Sequence, residues 1–221
     1  MMDLILHDVK WRMRFISTVR GCVYVFLISL VLLVLRTEWE RNRVYTTGSY
    51  NEYISVYGEA KRDDIKALKK ELSKIPDWLI EEYIANGGVV YLTSRPIENM
   101  QENYGEENDD SYKLIGLHTV RNGVVKIWIY NSPQAIKGAT LHEFGHYLDR
   151  YYGFISQSDV FFFIYEHEND IFLEIGGGEY HTSTLLEYFA ECFEWYINNP
   201  RSLKRNCPQT YKFLGSIIYP P

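Results

Sequence analysis

Apolar positions along the chain predict helices and short strands in alternation. The stretch 59–72 is charged but repeats an apolar side chain every three or four residues, which predicts a surface helix covering a sheet. Residues 78–85 predict a second helix, which Asp77 could cap. The apolar run 89–93 then predicts a short strand. Together these elements form a small supporting lobe.

A β-hairpin is predicted in the middle of the chain. The β-rich runs 114–120 and 124–130 are separated by a turn that contains Asn122 and Gly123. Asn-Gly between two such runs is the strongest short-range hairpin signal. His118 falls on the first strand and is interpreted as a structural histidine. An edge strand at this place could hold an extended peptide through main-chain hydrogen bonds.

The second half of the chain is predicted to be mainly helical. Helical patterns cover residues 139–149, 156–169 and 185–197, and Pro200 stops the last of them. Before the hairpin, the irregular acidic stretch 94–113 is either a solvated loop or a lid that favours cationic side chains. The predicted fold class is α+β, with a small mixed sheet and a mainly helical C-terminal half.

An apolar segment precedes this domain. Four basic residues lead into the apolar run 21–35, which at ~1.5 Å per residue spans about 22 Å, short of the ~30 Å hydrocarbon core of a membrane. That length suits a signal peptide. The lack of a small-x-small cleavage pattern, and an extension of the run back to Phe15, favour an uncleaved anchor instead. A buried core helix is the third interpretation.

The predicted organisation follows from this segment. Residues 1–35 form a signal peptide or membrane anchor, residues 36–43 a linker, and residues 44–221 one globular domain. A membrane tether would run through residues 15–35. The domain is expected to be secreted, or membrane-anchored on the extracellular side.

Composition and charge narrow the choice of partners. The chain has 221 residues, of which 46% are apolar and 16% aromatic, enough for the core of one globular domain. Its formal net charge of −6 argues against nucleic acid as a partner and suits a basic substrate better.

Cys192 and Cys207 are interpreted as small buried hydrophobes, with a disulfide bridge between them as the alternative. We expect a monomer.

The predicted helix 139–149 carries an H-E-x-x-H motif, formed by His142, Glu143 and His146. Residues four apart lie on one helix face, so the two imidazoles can bind one metal ion with Glu143 beside it. Two neutral imidazoles suit zinc, and a nearby carboxylate can take a proton from a metal-activated water. The alternative is a solvated helix with two ordinary histidines.

Two glutamates downstream can complete a metal site. Glu187 and Glu191 lie four residues apart beside an apolar helical stripe. Two ionised carboxylates in such a place are unfavourable unless a positive charge lies close to them. A catalytic zinc needs three protein ligands and an open position, so Glu187 is the candidate third ligand. Glu191 could accept the spare N–H of a zinc-bound imidazole. The alternative is a capping box in which Glu187 reaches back to the N–H of Thr184.

Taken together, these motifs resemble the catalytic domain of anthrax lethal factor and its relatives, the secreted Pro-Pro endopeptidases. The resemblance lies in H-E-F-G-H, in Tyr180 seven residues before Glu187 within L-E-Y-F-A-E-C-F, and in C-P-Q-T-Y-K-F-L, and it covers roughly residues 44–221. It implies a zincin-like metallopeptidase domain of the gluzincin type. One Zn²⁺ ion would be bound by His142, His146 and Glu187.

The resemblance also implies roles for the remaining site residues. Glu143 would act as general base and then as general acid. Tyr180 would stabilise the oxyanion, and Glu191 would orient a zinc-bound histidine. Leu186 departs from the Pro-Pro endopeptidases, which carry an acid before the liganding glutamate, so selectivity for Pro-Pro bonds is not implied.

The predicted function is that of a zinc metalloendopeptidase, a hydrolase that cleaves an extended protein or peptide substrate and is secreted or tethered to the cell surface. Two alternatives remain open. One is a non-catalytic zinc-binding or interaction protein on the same fold. The other is an exported, toxin-like effector protease.

Overall fold

The computed structural model describes residues 21–38, 43–97 and 115–219. The chain divides into two compact units, residues 1–43 and residues 44–221. The start of the predicted anchor, half of the predicted linker and most of the predicted acidic loop 94–113 lie outside the described residues.

The first unit contains helix α1, Gly21–Glu38. Its 18 residues have a mean hydropathy of 1.9, and none of them is buried. By length and composition alone, this helix could cross a membrane, and a signal sequence would meet the same criteria.

The second unit begins with a mixed sheet. Within the described residues it has five strands, in the order β1-β2-β3-β5-β4. Strands β2, β3 and β5 are mutually parallel, while β1 and β4 pair antiparallel at the two edges. The strands are β1 Val44–Ser49, β2 Ile54–Lys61, β3 Val89–Thr93, β4 Gly116–Arg121 and β5 Val124–Tyr130.

The helices make up most of the rest of this unit. The central one is α4, which packs against α2, α6 and strands β4 and β5. The helices are α2 Arg62–Leu72, α3 Asp77–Ala85, α4 Pro133–Tyr151, α5 Asp159–Phe172, α6 Leu185–Asn198, α7 Pro200–Asn206 and α8 Pro208–Ile218. The architecture is α+β with a mainly helical C-terminal half, as predicted.

The sequence prediction missed the first two strands. β2 buries alternate residues such as Ile54 and Val56, which is the expected period of a strand. Gly58 interrupts that pattern at φ 90°, and the charges that follow it resemble those of a surface helix. The predicted helix start at residue 59 is therefore wrong, because the strand continues and α2 begins at Arg62.

The central helix is longer than the predicted 139–149. It begins at Pro133, whose missing N–H and fixed φ suit the first turn of a helix. Ser132 caps that turn by accepting a hydrogen bond from the Ala135 N–H at 3.1 Å.

Two further helix starts are corrected. The helix predicted at 156–169 begins at Asp159, because Ser158 accepts the Phe161 N–H and caps it. Asp77 does not cap α3 as predicted. It is the first helical residue, and Pro76 occupies the capping position.

A buried carboxylate joins the C-terminal helices. Glu168 on α5 accepts hydrogen bonds from the backbone N–H groups of Gln209 and Thr210, both at 2.9 Å, and from the Thr210 hydroxyl at 2.7 Å. These donors belong to the first turn of α8, where a carboxylate is favourable. Cys192 and Cys207 are both free and buried in this region, in agreement with the interpretation of small buried hydrophobes.

A glycine sets how closely α4 and α6 pack. A Cβ atom at Gly145 would lie 2.7 Å from Cα and 2.9 Å from the carbonyl oxygen of Ala190 on α6. These are backbone atoms, which cannot move aside as a flexible side chain can. Gly145 therefore allows the two helices to come into close contact, and any larger residue at this position would force the helices apart.

The first prediction compares two glycines of the same helix. Gly145→Ala should destabilise the protein by about 1–3 kcal/mol, because the new methyl group overpacks the contact with Ala190. Gly138→Ala is the matched control: a Cβ there meets nothing within 4 Å, so the change should stabilise by about 0.5–1 kcal/mol. Urea unfolding of both variants measures the effects. Equal stability of Gly145→Ala and wild type would contradict the close approach of the helices.

Candidate metal centre

The two histidines of the motif lie on one face of α4 and are buried, as is Glu143 between them. The Nε2 atoms of His142 and His146 are 3.1 Å apart. Two zinc ligands with bonds of ~2.0–2.1 Å in tetrahedral geometry are separated by about 3.3 Å. The pair is therefore spaced as two nitrogen ligands of one metal ion would be.

Glu187 on α6 completes a group of three ligand atoms. Its Oε2 lies 3.1 Å from Nε2 of His142, and its Oε1 lies 3.6 Å from Nε2 of His146. The side chains of His142, His146 and Glu187 are close enough together to hold one metal ion. Thr184 caps α6 by accepting the Glu187 N–H at 3.2 Å, while the carboxylate of Glu187 faces the imidazoles.

Glu191, one turn further along α6, contacts the imidazole of His142 at Nδ1, the ring nitrogen that does not face Glu187. Its Oε2 lies 3.2 Å from Nδ1 of His142, and its Oε1 accepts the indole N–H of Trp195 at 3.2 Å. A proton kept on Nδ1 leaves the lone pair of Nε2 free for a metal ion. Trp195 has no role in the sequence prediction, although residues four apart on a helix lie on one face and this spacing places Trp195 beside Glu191.

The pKa shifts of His142 and Glu187 indicate that a positive charge is favourable in the centre. Burial lowers the pKa of His142, but hydrogen bonds to Glu187 and Glu191 outweigh it, so the pKa is raised. Burial likewise raises the pKa of Glu187, yet its contacts with His142 and His146 bring a net lowering. Without a metal ion, a protonated imidazole balances the carboxylates. A divalent cation can supply that positive charge instead, and two imidazoles with one carboxylate are a donor set that zinc accepts.

Glu143 lies between α4 and the edge strand β4. A Cβ atom at Gly116 would lie 2.5 Å from Oε1 of Glu143, so the glycine makes room for this side chain. Nδ1 of His118 lies 3.6 Å from Oε2 of Glu143, and its ring stacks on His146 with centroids 4.9 Å apart. The interpretation of His118 as a structural histidine missed this position beside the candidate metal ligands.

His118 also belongs to a second group that could hold a metal ion, formed with Glu143 and His146. The alternation of side chains in the hairpin shows only that His118 and Gly116 share a face of β4. That this face lies against Glu143 depends on the packing of β4 on α4, which the sequence pattern does not give.

Tyr180 and His181 occupy a short helical turn, residues 180–182, before α6. The side chain of Tyr180 is 66% exposed, so the structure does not bring its phenol into the buried ligand group. His181, which has no role in the sequence prediction, lies closer, with Nδ1 3.5 Å from Oε2 of Glu191. Burial lowers the pKa of His181, although the charge of Glu191 acts in the opposite direction. His167 is exposed on α5.

An H-E-x-x-H helix packed between a mixed sheet and a glutamate-bearing helix defines the class of zincin-like metallopeptidases. The family model described as "Anthrax toxin lethal factor, N- and C-terminal domain" matches residues 49–217. The chain belongs to this family, as the sequence motifs predicted.

A solved structure supports the same relationship. The chain is similar to the Pro-Pro endopeptidase PPEP-2 from Paenibacillus alvei, with a TM-score of 0.58 and 25% sequence identity. The match covers 75% of this chain and 97% of that one. No curated protein matches the chain.

The second prediction concerns Glu194, one turn beyond Glu191. Burial, reinforced by the charge of Glu191, raises the pKa of Glu194 to about 7. The folded state therefore binds a proton that the unfolded chain releases above a pKa of about 4.5. The free energy of unfolding should therefore fall as the pH rises from about 4.5 to about 7. Glu194→Gln removes the titrating carboxyl group and with it this loss of stability at high pH. The variant should therefore be more stable than wild type by about 1–3 kcal/mol at pH 8 and by little at pH 5.

The measurement is urea unfolding of the metal-free protein at both pH values. Glu166→Gln, which changes an exposed acid on α5, is the control and should be neutral at both. An advantage of Glu194→Gln that does not grow with pH would contradict the raised pKa.

Proposed function

We propose that this protein is a zinc-dependent endopeptidase that hydrolyses peptide bonds in an extended protein substrate through a metal-activated water. The observation that carries the proposal is the meeting of three ligand atoms from two helices, two imidazole nitrogens of α4 and one carboxylate of α6, with the carboxylate of Glu143 beside them. A structural zinc site would use four protein ligands, whereas three leave a position open for water and substrate.

The metal ligands are assigned to His142, His146 and Glu187, with one Zn²⁺ ion. Bound zinc supplies Lewis acidity, which polarises the scissile carbonyl and lowers the pKa of a water molecule towards neutrality. Glu191 keeps a proton on Nδ1 of His142 and so presents Nε2 to the ion.

The other two site residues handle the proton and the developing charge. Glu143 takes the proton of the attacking water as general base and passes it to the leaving amine as general acid. Its buried place between α4 and β4 keeps this carboxylate fixed. Tyr180 donates its phenol O–H to the oxyanion when the turn 180–182 brings it towards the centre.

The edge strand β4 provides the place for an extended substrate. One side of β4 pairs with β5, and it is the last strand of the described sheet on that side. A peptide can add to such an edge through main-chain hydrogen bonds, beside Glu143. The net charge of −6 favours basic substrate segments. PPEP-2 is named as a Pro-Pro endopeptidase, but Leu186 stands where the Pro-Pro endopeptidases carry an acid, so the proposal does not include selectivity for Pro-Pro bonds.

The placement of the enzyme follows from α1. We infer that residues 1–35 are a signal peptide or, with the apolar segment 15–35, a membrane anchor, joined through 36–43 to a monomeric domain at 44–221. The length and composition of Gly21–Glu38 support either choice. The catalytic domain would then act outside the cytoplasm.

The third prediction tests the general base. Glu143→Gln keeps the shape of the side chain but cannot accept the proton, so peptide cleavage should fall by a factor of about 10²–10⁴ while one zinc per chain is retained. Mass-spectrometric profiling of a peptide library measures cleavage, and elemental analysis measures zinc. A chelator should abolish cleavage by wild type, and added zinc should restore it. Identical products from wild type and Glu143→Gln would overturn the assignment.

A further inference from the structure

The carboxylate of Glu191 is the point where three side chains converge. Its Oε1 accepts the indole N–H of Trp195, and its Oε2 lies 3.2 Å from Nδ1 of His142. Nδ1 of His181 lies 3.5 Å from the same Oε2. A carboxylate oxygen has two lone pairs, so Oε2 can accept a hydrogen bond from both imidazoles.

The ring of His181 stands between a candidate zinc ligand and the candidate oxyanion donor. Its centroid is 4.9 Å from that of His142 and 5.2 Å from that of Tyr180, with edge-to-face geometry in both pairs. In the described part of the chain, Nδ1 of His181 is buried and makes no hydrogen bond. Moving it a few tenths of an ångström closer to Glu191 would bring it to ordinary hydrogen-bond length.

The turn that carries Tyr180 lies close to side chains of both α5 and α6. Gly178 precedes it at φ 75°, a conformation that residues with a Cβ rarely adopt. The Tyr165 hydroxyl of α5 donates to the carbonyl of Thr182 at 2.9 Å. Nδ1 of His181 lies 3.5 Å from Oε2 of Glu191 on α6. Because the Tyr180 side chain is largely exposed, the place of its hydroxyl depends on how this turn is held.

We propose that His181 is a positioning residue: its imidazole docks the turn 180–182 on Glu191 and thereby sets the distance between the Tyr180 hydroxyl and the metal ligands. The inference rests on the proposed peptidase function, in which Tyr180 donates to the oxyanion. One carboxylate then holds both a zinc ligand, His142, and the turn that presents the oxyanion donor.

A double-mutant cycle tests this coupling. His181→Phe keeps a ring without an N–H, and should lower kcat about 10–100-fold while KM changes less than about 3-fold. His181→Asn, which keeps an N–H donor, should recover much of the loss. In a Tyr180→Phe background, His181→Phe should cost less than about 3-fold, because the residue that it positions has lost its hydroxyl.

Fully additive losses in the cycle would overturn the proposal, as would failure of His181→Asn to recover activity when the variant binds zinc normally. His167→Phe, the same exchange at an exposed histidine of α5, is the control and should leave kcat unchanged.

A second measurement does not depend on peptide cleavage. 3-Fluorotyrosine at position 180, followed by ¹⁹F NMR, should give the same shifted resonance in wild type and His181→Asn. In His181→Phe the resonance should move towards that of free 3-fluorotyrosine. An unchanged resonance in His181→Phe overturns the positioning role. If the resonance moves as expected but wild type cleaves no peptide, the peptidase proposal fails and the docking of the turn stands.

Discussion

The close approach of α4 and α6 is the constraint on which the metal centre depends. The two histidines are held by α4 alone, but the carboxylates that face them come from α6, some forty residues later in the chain. Gly145 lies between His142 and His146 and touches the backbone of Ala190, which lies between Glu187 and Glu191. The helices are thus in close contact at the level of the candidate ligands, and the packing that stabilises the fold also sets the ligand spacing.

The charges of the centre balance one another within this packing. Two carboxylates beside a buried imidazole would be unfavourable without a cation, and the raised pKa of His142 shows that a proton can serve as that cation. A divalent metal ion could supply the positive charge in place of that proton. Trp195 donates its indole N–H to Glu191 and so acts on the centre through a hydrogen bond. His181 lies 3.5 Å from the same carboxylate, and with His142 and Glu191 it forms another group of side chains that could hold a metal ion.

Local patterns explain which parts could be predicted from the sequence. Helix geometry fixes the spacing of His142 and His146, and the Asn122-Gly123 turn indicates a hairpin. Both features could be predicted, because each depends on residues that are close together in the chain. β1 and β2 were missed, because Gly58 and the charges after it break the alternation of a strand. His118 approaches the site only through the packing of β4 on α4, whereas Trp195 lies one helical turn from Glu191, a spacing that the helical pattern does give. A histidine on a strand shows which face it occupies, but not which side chain covers that face.

Anomalous diffraction at the zinc absorption edge, on crystals of the zinc-loaded protein, would locate the metal ion among its candidate ligands. We expect one peak, within bonding distance of Nε2 of His142, Nε2 of His146 and a carboxylate oxygen of Glu187. A peak bounded instead by His118, Glu143 and His146, with Glu187 beyond bonding reach, would contradict it, because the residue proposed as general base would then be a metal ligand.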